Sequence, residues 1–222
     1  MKFEEAYRGI RKLHAAQLFK VLFAVLAVAL LIITLLVGQD TGHGYITDKE
    51  TVETLTTAAV IMGIAALILP VIGLILEIIG LKQASDDEES FRVALFLAVF
   101  SLLLEIAGSV LSTIFKDRAD MALNIIRIIK PVMNIVLILM TVLGISKLTD
   151  ALDKPKMRNR GIAVFAVSAV ANVCKACGDG LPAFIKIPED TVDVIASASS
   201  VLGLIAYCMY MSYLSKAVVV LE

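Results

Sequence analysis

The sequence predicts an all-α, polytopic membrane protein: a bundle of six transmembrane helices preceded by an amphipathic helix. Three observations carry this reading. Hydrophobic residues make up 59% of the 222 residues and charged residues 18%, against roughly 25% charged in an average soluble domain. Six apolar runs reach the roughly 20 residues that a helix rising about 1.5 Å per residue needs to cross about 30 Å of hydrocarbon. The charges fall in blocks between these runs, so the net charge of −1 implies no nucleic-acid partner.

Residues 1–16 place Phe3, Ala6, Tyr7, Ile10 and Leu13 on one helical face, with Arg8, Arg11 and Lys12 elsewhere. This spacing suits a cytoplasmic amphipathic helix lying along the membrane surface or docked on a partner subunit. A six-span domain over 17–216 follows, and 217–222 reads as a cytoplasmic tail. The first span, 17–37, is longer than a signal-peptide core and no small-residue cleavage site follows it, so it is expected to stay as an anchor. The second and fourth, 56–80 and 124–147, contain Pro70 and Pro131, where a helix kinks or a neighbour satisfies the freed carbonyl. The third covers 91–114. The fifth, 161–178, is interrupted by Asn172 and Lys175 and ends in Gly178-Asp179-Gly180-Leu181-Pro182; the sixth covers 193–214. Ala59, Gly63, Ser199 and Gly203 supply small residues four apart on the second and sixth spans, a spacing that lets helices approach closely.

Orientation follows from Lys and Arg, which short cytoplasmic segments retain. The N-terminal segment, the 81–92 and 147–160 loops and the C-terminus hold thirteen of the twenty. Both termini are therefore expected in the cytoplasm of a multi-pass cell-membrane protein, with the bilayer as the first partner.

Gly9-Ile10-Arg11-Lys12-Leu13 recurs as Gly80-Leu81-Lys82-Gln83-Ala84 and as Gly144-Ile145-Ser146-Lys147-Leu148, with a degenerate copy at Tyr213-Leu214-Ser215-Lys216-Ala217. The copies imply three helical hairpins, about 19–80, 91–144 and 160–213, repeated in parallel about an axis near the membrane normal. The alternative is that glycine, an aliphatic residue and lysine simply end any inward-running span.

Counting from the cytoplasmic ends, Glu105, Lys130, Asn134 and Asn172 lie roughly 18–25 Å deep. They come from the third, fourth and fifth spans and share the outer half of one layer. A charge in hydrocarbon costs at least about 2.5–3.5 kcal/mol, so such residues normally meet a partner or water. Glu105 is expected to pair with Lys130, or failing that with Arg127, facing the bundle interior, while Asn134 and Asn172 line a polar pocket. The competing expectation is a buried ion pair that only fixes helix register.

Cys174-Lys175-Ala176-Cys177 is a C-x-x-C sequence in which Lys175 could lower a thiol pKa, but two cysteines at this spacing also arise in apolar helices. His43 is flanked by Asp40 and Asp48, yet one histidine does not make a metal site, which wants three or four convergent ligands. No metal or cofactor is predicted. The acidic run Asp86-Asp87-Glu88-Glu89 reads as a solvated turn, and the basic run from Lys154 to Arg160 as a topology signal that could also meet anionic headgroups.

Six spans in 222 residues is the size of several transporter components, including the substrate-binding subunits of energy-coupling-factor importers. The first span lacks the Ala-x-x-x-Ala pattern of those subunits: Ala24, Ala27 and Ala29 are present, but position 28 is Val28. The sequence is assigned to no family. Its leading functional reading is a small-solute transporter or membrane ligand-binding component of unknown ligand. The alternative is a non-catalytic accessory subunit assembling with a membrane-protein partner or as a homo-oligomer, and the third is a membrane thiol oxidoreductase using Cys174 and Cys177. No P-loop, serine-hydrolase elbow or H-E-x-x-H motif supports another enzyme class.

Overall fold

Long apolar runs without interior breakers give long helices. The computed structural model describes residues 2–37, 49–115, 120–180 and 188–222, which form α1 (Glu4–Val37), α2 (Lys49–Asp87), α3 (Ser90–Phe115), α4 (Asp120–Asp150), α5 (Lys156–Gly180) and α6 (Glu189–Leu221). The described residues contain no strand. All six helices are long and apolar enough to cross a membrane, and the chain is an integral membrane protein. Pro70 and Pro131 sit inside α2 and α4, which continue through them.

Two boundaries expected from hydropathy are absent. The amphipathic segment continues directly into the first span, because α1 runs unbroken from Glu4 to Val37. Nothing between Leu13 and Leu18 breaks a helix, since His14-Ala15-Ala16-Gln17 contains neither glycine nor proline. Residues 217–221 likewise join the sixth span. α6 continues to Leu221 and buries Ala217 and Leu221.

The chain divides into two units, Lys12–Glu77 and a larger one formed by Met1–Arg11 with Ile78–Glu222. In the smaller unit α1 meets α2 at Gly73, where a Cβ would lie 3.3 Å from the Ala16 carbonyl oxygen. Lys20 and Glu77 bridge the same two helices at 2.7 Å.

In the larger unit α4 packs against both α3 and α5, α5 packs against α6, and α4 also touches α6. Its buried apolar side chains gather at one end, here called the basic end: Ala6, Ile10, Leu81, Ala84, Phe91, Ala94, Ile145, Tyr213, Leu214 and Ala217. Toward the other end many apolar side chains face outward, among them Ile106, Ile114, Met121 and Val194. Outward-facing apolar side chains are what lipid solvates.

Missing side chains make the basic end tight. A Cβ on Gly9 would strike the Gly80 carbonyl oxygen and lie 2.6 Å from the Ala84 backbone nitrogen. One on Gly144 would come within 2.6–3.0 Å of three Phe91 ring atoms, and one on Gly161 would sit 2.7 Å from Val142 and 2.9 Å from the Tyr213 hydroxyl. The apolar face of the N-terminal segment thus packs on its own chain, where Ala6 and Ile10 are fully buried. The stripe expected to bring helices together does not do so at its glycines. Among the described residues, nothing lies within 4 Å of a Cβ added at Gly63 or Gly203.

The acidic turn is also more than a solvated link. Asp87 Oδ2 accepts a 2.7 Å hydrogen bond from the Ala6 amide, satisfying one of the donors a helix N-terminus leaves open and placing a negative charge at the positive end of α1. Glu88 Oε1 accepts from Lys147 Nζ at 2.7 Å, from the Ser90 hydroxyl at 2.8 Å and from the Ser90 amide at 3.3 Å. Lys147, in the third Gly-aliphatic-Lys copy, therefore ties α4 to the α2–α3 turn. After α4, Asp153 takes a left-handed conformation with φ 57°. The Lys154 amide donates to the Thr149 carbonyl and the Asp153 amide to the Asp150 carbonyl, which is the Schellman pattern with aspartate where glycine is usual.

Burial raises the Glu88 pKa, but the hydrogen bonds from Lys147 and Ser90 and the Lys147 charge outweigh it and hold the group below its ordinary 4.5. A carboxyl whose folded-state pKa is depressed stabilises the fold fully above its unfolded value, and that contribution is lost as pH falls through the folded value. The wild-type protein in detergent should therefore lose stability more steeply than Glu88→Gln between roughly pH 5 and pH 3. Parallel pH profiles of the thermal midpoint would show that Glu88 contributes nothing.

Candidate functional site

Three polar stripes at helical spacing meet in the half of the larger unit remote from the basic end. α4 supplies Arg127, Lys130 and Asn134, and α5 supplies Ser168, Asn172 and Lys175. α6 adds Ser199, Gly203, Tyr207 and Tyr210. Asn134 Nδ2 donates to Asn172 Oδ1 at 3.0 Å, joining α4 to α5, and Asn172 Nδ2 donates to the Ser168 carbonyl at 2.8 Å. The second bond fixes the Asn172 side chain on its own helix, so the first bond fixes Asn134 too.

The asparagine pair separates two clefts. One, of about 360 Å³, is lined by Ser101, Arg127, Lys130, Pro131, Asn134, Asn172 and Lys175. The other, of about 220 Å³, lies toward α6 and shares Asn134, Asn172 and Lys175 while adding Ser199, Gly203, Tyr207 and Tyr210. Pro131 has no amide hydrogen, so the Arg127 carbonyl lacks its usual intrahelical donor beside the first cleft. Lys130 Nζ lies 3.2 Å from Glu105 Oε1 on α3. Arg127 instead donates to Asn124 of its own helix at 3.2 Å.

The structure thus brings Arg127, Lys130, Asn134 and Asn172 to one cleft and attaches Glu105 to its edge through Lys130. The Glu105 carboxylate does not face the interior as expected. Its side chain is 66% exposed and that of Lys130 36%. Glu105 continues the stripe Phe91, Ala94, Ala98 and Ser101 with which α3 faces α4, but cover falls along that stripe away from the basic end. Phe91 is fully buried and Ala98 7% exposed, whereas Glu105 sits on the rim.

Reasoning from residue depth missed Ser101, Tyr207 and Tyr210, which carry no charge, and treated Lys175 as an interruption of the fifth span and a neighbour of the two thiols, not as a cleft residue. The signal for Lys175 was its place in the period Ser168, Asn172, Lys175. Cys174 and Cys177 flank Lys175 as free, partly buried thiols. Among the described residues no three His, Cys, Asp or Glu side chains cluster to hold a metal ion, and His43 lies outside those residues.

No protein-family model matches the chain, and comparison with curated proteins and with solved structures gave no match. The chemistry of the site is therefore read from its own residues. The two clefts present three cations, Arg127, Lys130 and Lys175, two bonded amides and hydroxyls. Such groups bind and orient an anion.

Proposed function

We propose that the chain is a small-solute transporter or membrane ligand-binding component whose solute carries an anionic group held in the α3–α5 cleft. One observation carries the reading: Arg127, Lys130 and Lys175, from two helices, line a single cleft within the spans, with Glu105 the one carboxylate bonded to any of them among the described residues. Cations at that depth are costly and call for counter-charge or water, and a bound anion would supply the charge. A volume of about 360 Å³ falls at the small end of the roughly 300–1,000 Å³ of ligand pockets. The amide pair would select by hydrogen bonding.

The test is a thermal-shift screen of the full chain in detergent against small carboxylates, phosphates and neutral metabolites. A ligand at 100 times its Kd should stabilise by about 2.7 kcal/mol. Arg127→Gln with Lys175→Gln should weaken binding at least tenfold. The reading fails if no small solute stabilises the wild type, or if the double variant binds unchanged.

A second reading, an accessory subunit or homo-oligomer, is favoured by the exposure of Glu105 alone. A carboxylate two-thirds exposed within a span is what a partner helix would cover. Glu105→Gln would then change the assembly size in detergent while leaving solute binding intact.

Both readings retain an orientation with the termini in the cytoplasm, supported by the positive charge at the basic end. Reporter fusions after Gln83 and Lys156 should then report cytoplasm, and one after Lys49 the opposite side. The three-hairpin duplication is kept as part of this proposal. The contacts Phe91 to Gly144 and Gly161 to Tyr213 join the opening and closing residues of the second and third hairpins, each through one glycine and one aromatic residue, with the two roles exchanged.

A further inference from the structure

A third cleft of about 360 Å³ opens between α5 and α6 at the basic end and is lined by Arg160, Val164, Cys208, Met209, Tyr213 and Lys216, among others. Arg160 stands four residues into α5 and Lys216 five residues before the end of α6, so both cations lie roughly 6–8 Å from the helix ends, the depth of headgroups. Both side chains are exposed, and no ion pair or hydrogen bond ties either of them among the described residues. Val164 and Met209 lie one to two turns deeper. The lining therefore runs from charged to apolar in the direction that a phospholipid does.

The floor is preformed. Tyr213 is 2% exposed, and its hydroxyl lies 3.5 Å from the Ser146 hydroxyl and donates to the Val142 carbonyl at 3.4 Å. Gly161 lets this ring approach α5, since a Cβ there would lie 2.9 Å from the hydroxyl. The tyrosine hydroxyl is thus engaged with α4, and the two cations are left to meet a ligand.

We propose that this cleft binds one anionic phospholipid, its phosphate between Arg160 and Lys216 and an acyl chain along Val164 and Met209. Charge complementarity argues for this occupant. Basic pockets between spans bind anionic headgroups, and each cation near the surface of an anionic leaflet contributes about fivefold in affinity. The site is separate from the α3–α5 cleft and does not depend on it.

The test is native mass spectrometry of the full chain in detergent, titrated with dioleoyl phosphatidylglycerol or dioleoyl phosphatidylcholine. Wild type should retain the first at a concentration at least tenfold below the second. Arg160→Gln with Lys216→Gln should remove that preference, while Lys154→Gln with Lys156→Gln, which neutralises as much charge beside the cleft, should change it less than twofold. All four substitutions are at exposed positions, and an unchanged thermal midpoint confirms folding. Equal retention of the two lipids, or equal loss in both double variants, overturns the proposal. So does inorganic phosphate, at ionic strength matched with chloride, binding wild type and not Arg160→Gln with Lys216→Gln while the lipids are not distinguished; the cleft would then belong to a soluble anion.

Discussion

Phe91→Ala should destabilise the protein by about 3–5 kcal/mol, the usual cost of emptying a buried aromatic site. Phe91 is fully buried, and its ring fills the space that Gly144 leaves by having no side chain. It follows directly on Ser90, which shares Glu88 and Lys147 in the hydrogen-bond cluster of the α2–α3 turn. Loss of the ring therefore opens a void between α3 and α4 beside the contacts that start α3. The converse change, Gly144→Ala, pushes a methyl group into the ring and should cost about 1–3 kcal/mol. Because the two positions touch, their effects should not add, and Gly144→Ala combined with Phe91→Leu should recover part of the loss. Unfolding by denaturant in a mild detergent measures each term. A Phe91→Ala protein within about 0.5 kcal/mol of wild type, the range of ordinary surface changes, would show that this end is not the core.

Gly9→Ala should be the more damaging of two chemically identical substitutions, Gly9→Ala and Gly63→Ala. In a helix the change normally gains about 0.8–1.0 kcal/mol from propensity, and Gly63, with nothing within 4 Å, should be neutral or gain up to that amount. At Gly9 the new carbon meets the Gly80 carbonyl oxygen and the Ala84 amide nitrogen. These are backbone atoms, which cannot rotate aside as a side chain does. The start of α1 must move away from the end of α2, which also stretches the 2.7 Å bond from the Ala6 amide to Asp87. A net loss of about 1–3 kcal/mol is expected, since overpacking of about 1–3 kcal/mol adds to a lost helix cap of about 1 kcal/mol and outweighs the propensity gain of about 0.8–1.0 kcal/mol. Equal thermal midpoints for the two variants would mean that the close approach of these helices does not stabilise the fold.

Hydropathy made the spans legible because a run of apolar residues and a membrane helix are nearly the same physical object. It could not give the helix ends. From Leu13 to Leu18 the side chains change from amphipathic to wholly apolar while every residue remains compatible with a helix, so α1 passes through the change without a break. The same holds after Leu214, where α6 continues. Depth counting brought Lys130, Asn134 and Asn172 into one layer, because rise per residue is fixed by the backbone. It did not give the rotation of α3, which decides that Glu105 lies on a rim, because rotation depends on how far neighbouring helices splay. Small-residue spacing failed for a related reason. Gly9, Gly144, Gly161 and Gly203 look alike in sequence, and only packing shows that the first three serve close contacts while the last has no described residue within 4 Å of an added Cβ.

The uneven distribution of buried side chains in the larger unit has a mechanical consequence. Where Ala6, Ile10, Phe91, Ile145, Tyr213 and Leu214 interlock, any displacement must break many contacts together, so that end acts as a fulcrum. Along the outer parts of α3 and α4, from Leu103 to Ile114 and from Met121 to Ile129, many apolar side chains lie exposed, so less packing opposes a small change in tilt, and Pro131 has already removed one rung of the α4 hydrogen-bond ladder. Under the proposed function, work done on those arms by a bound anion would be spent on tilting them about a stationary base. The Asn134–Asn172 bond would serve as the latch that such a stroke has to break or carry along.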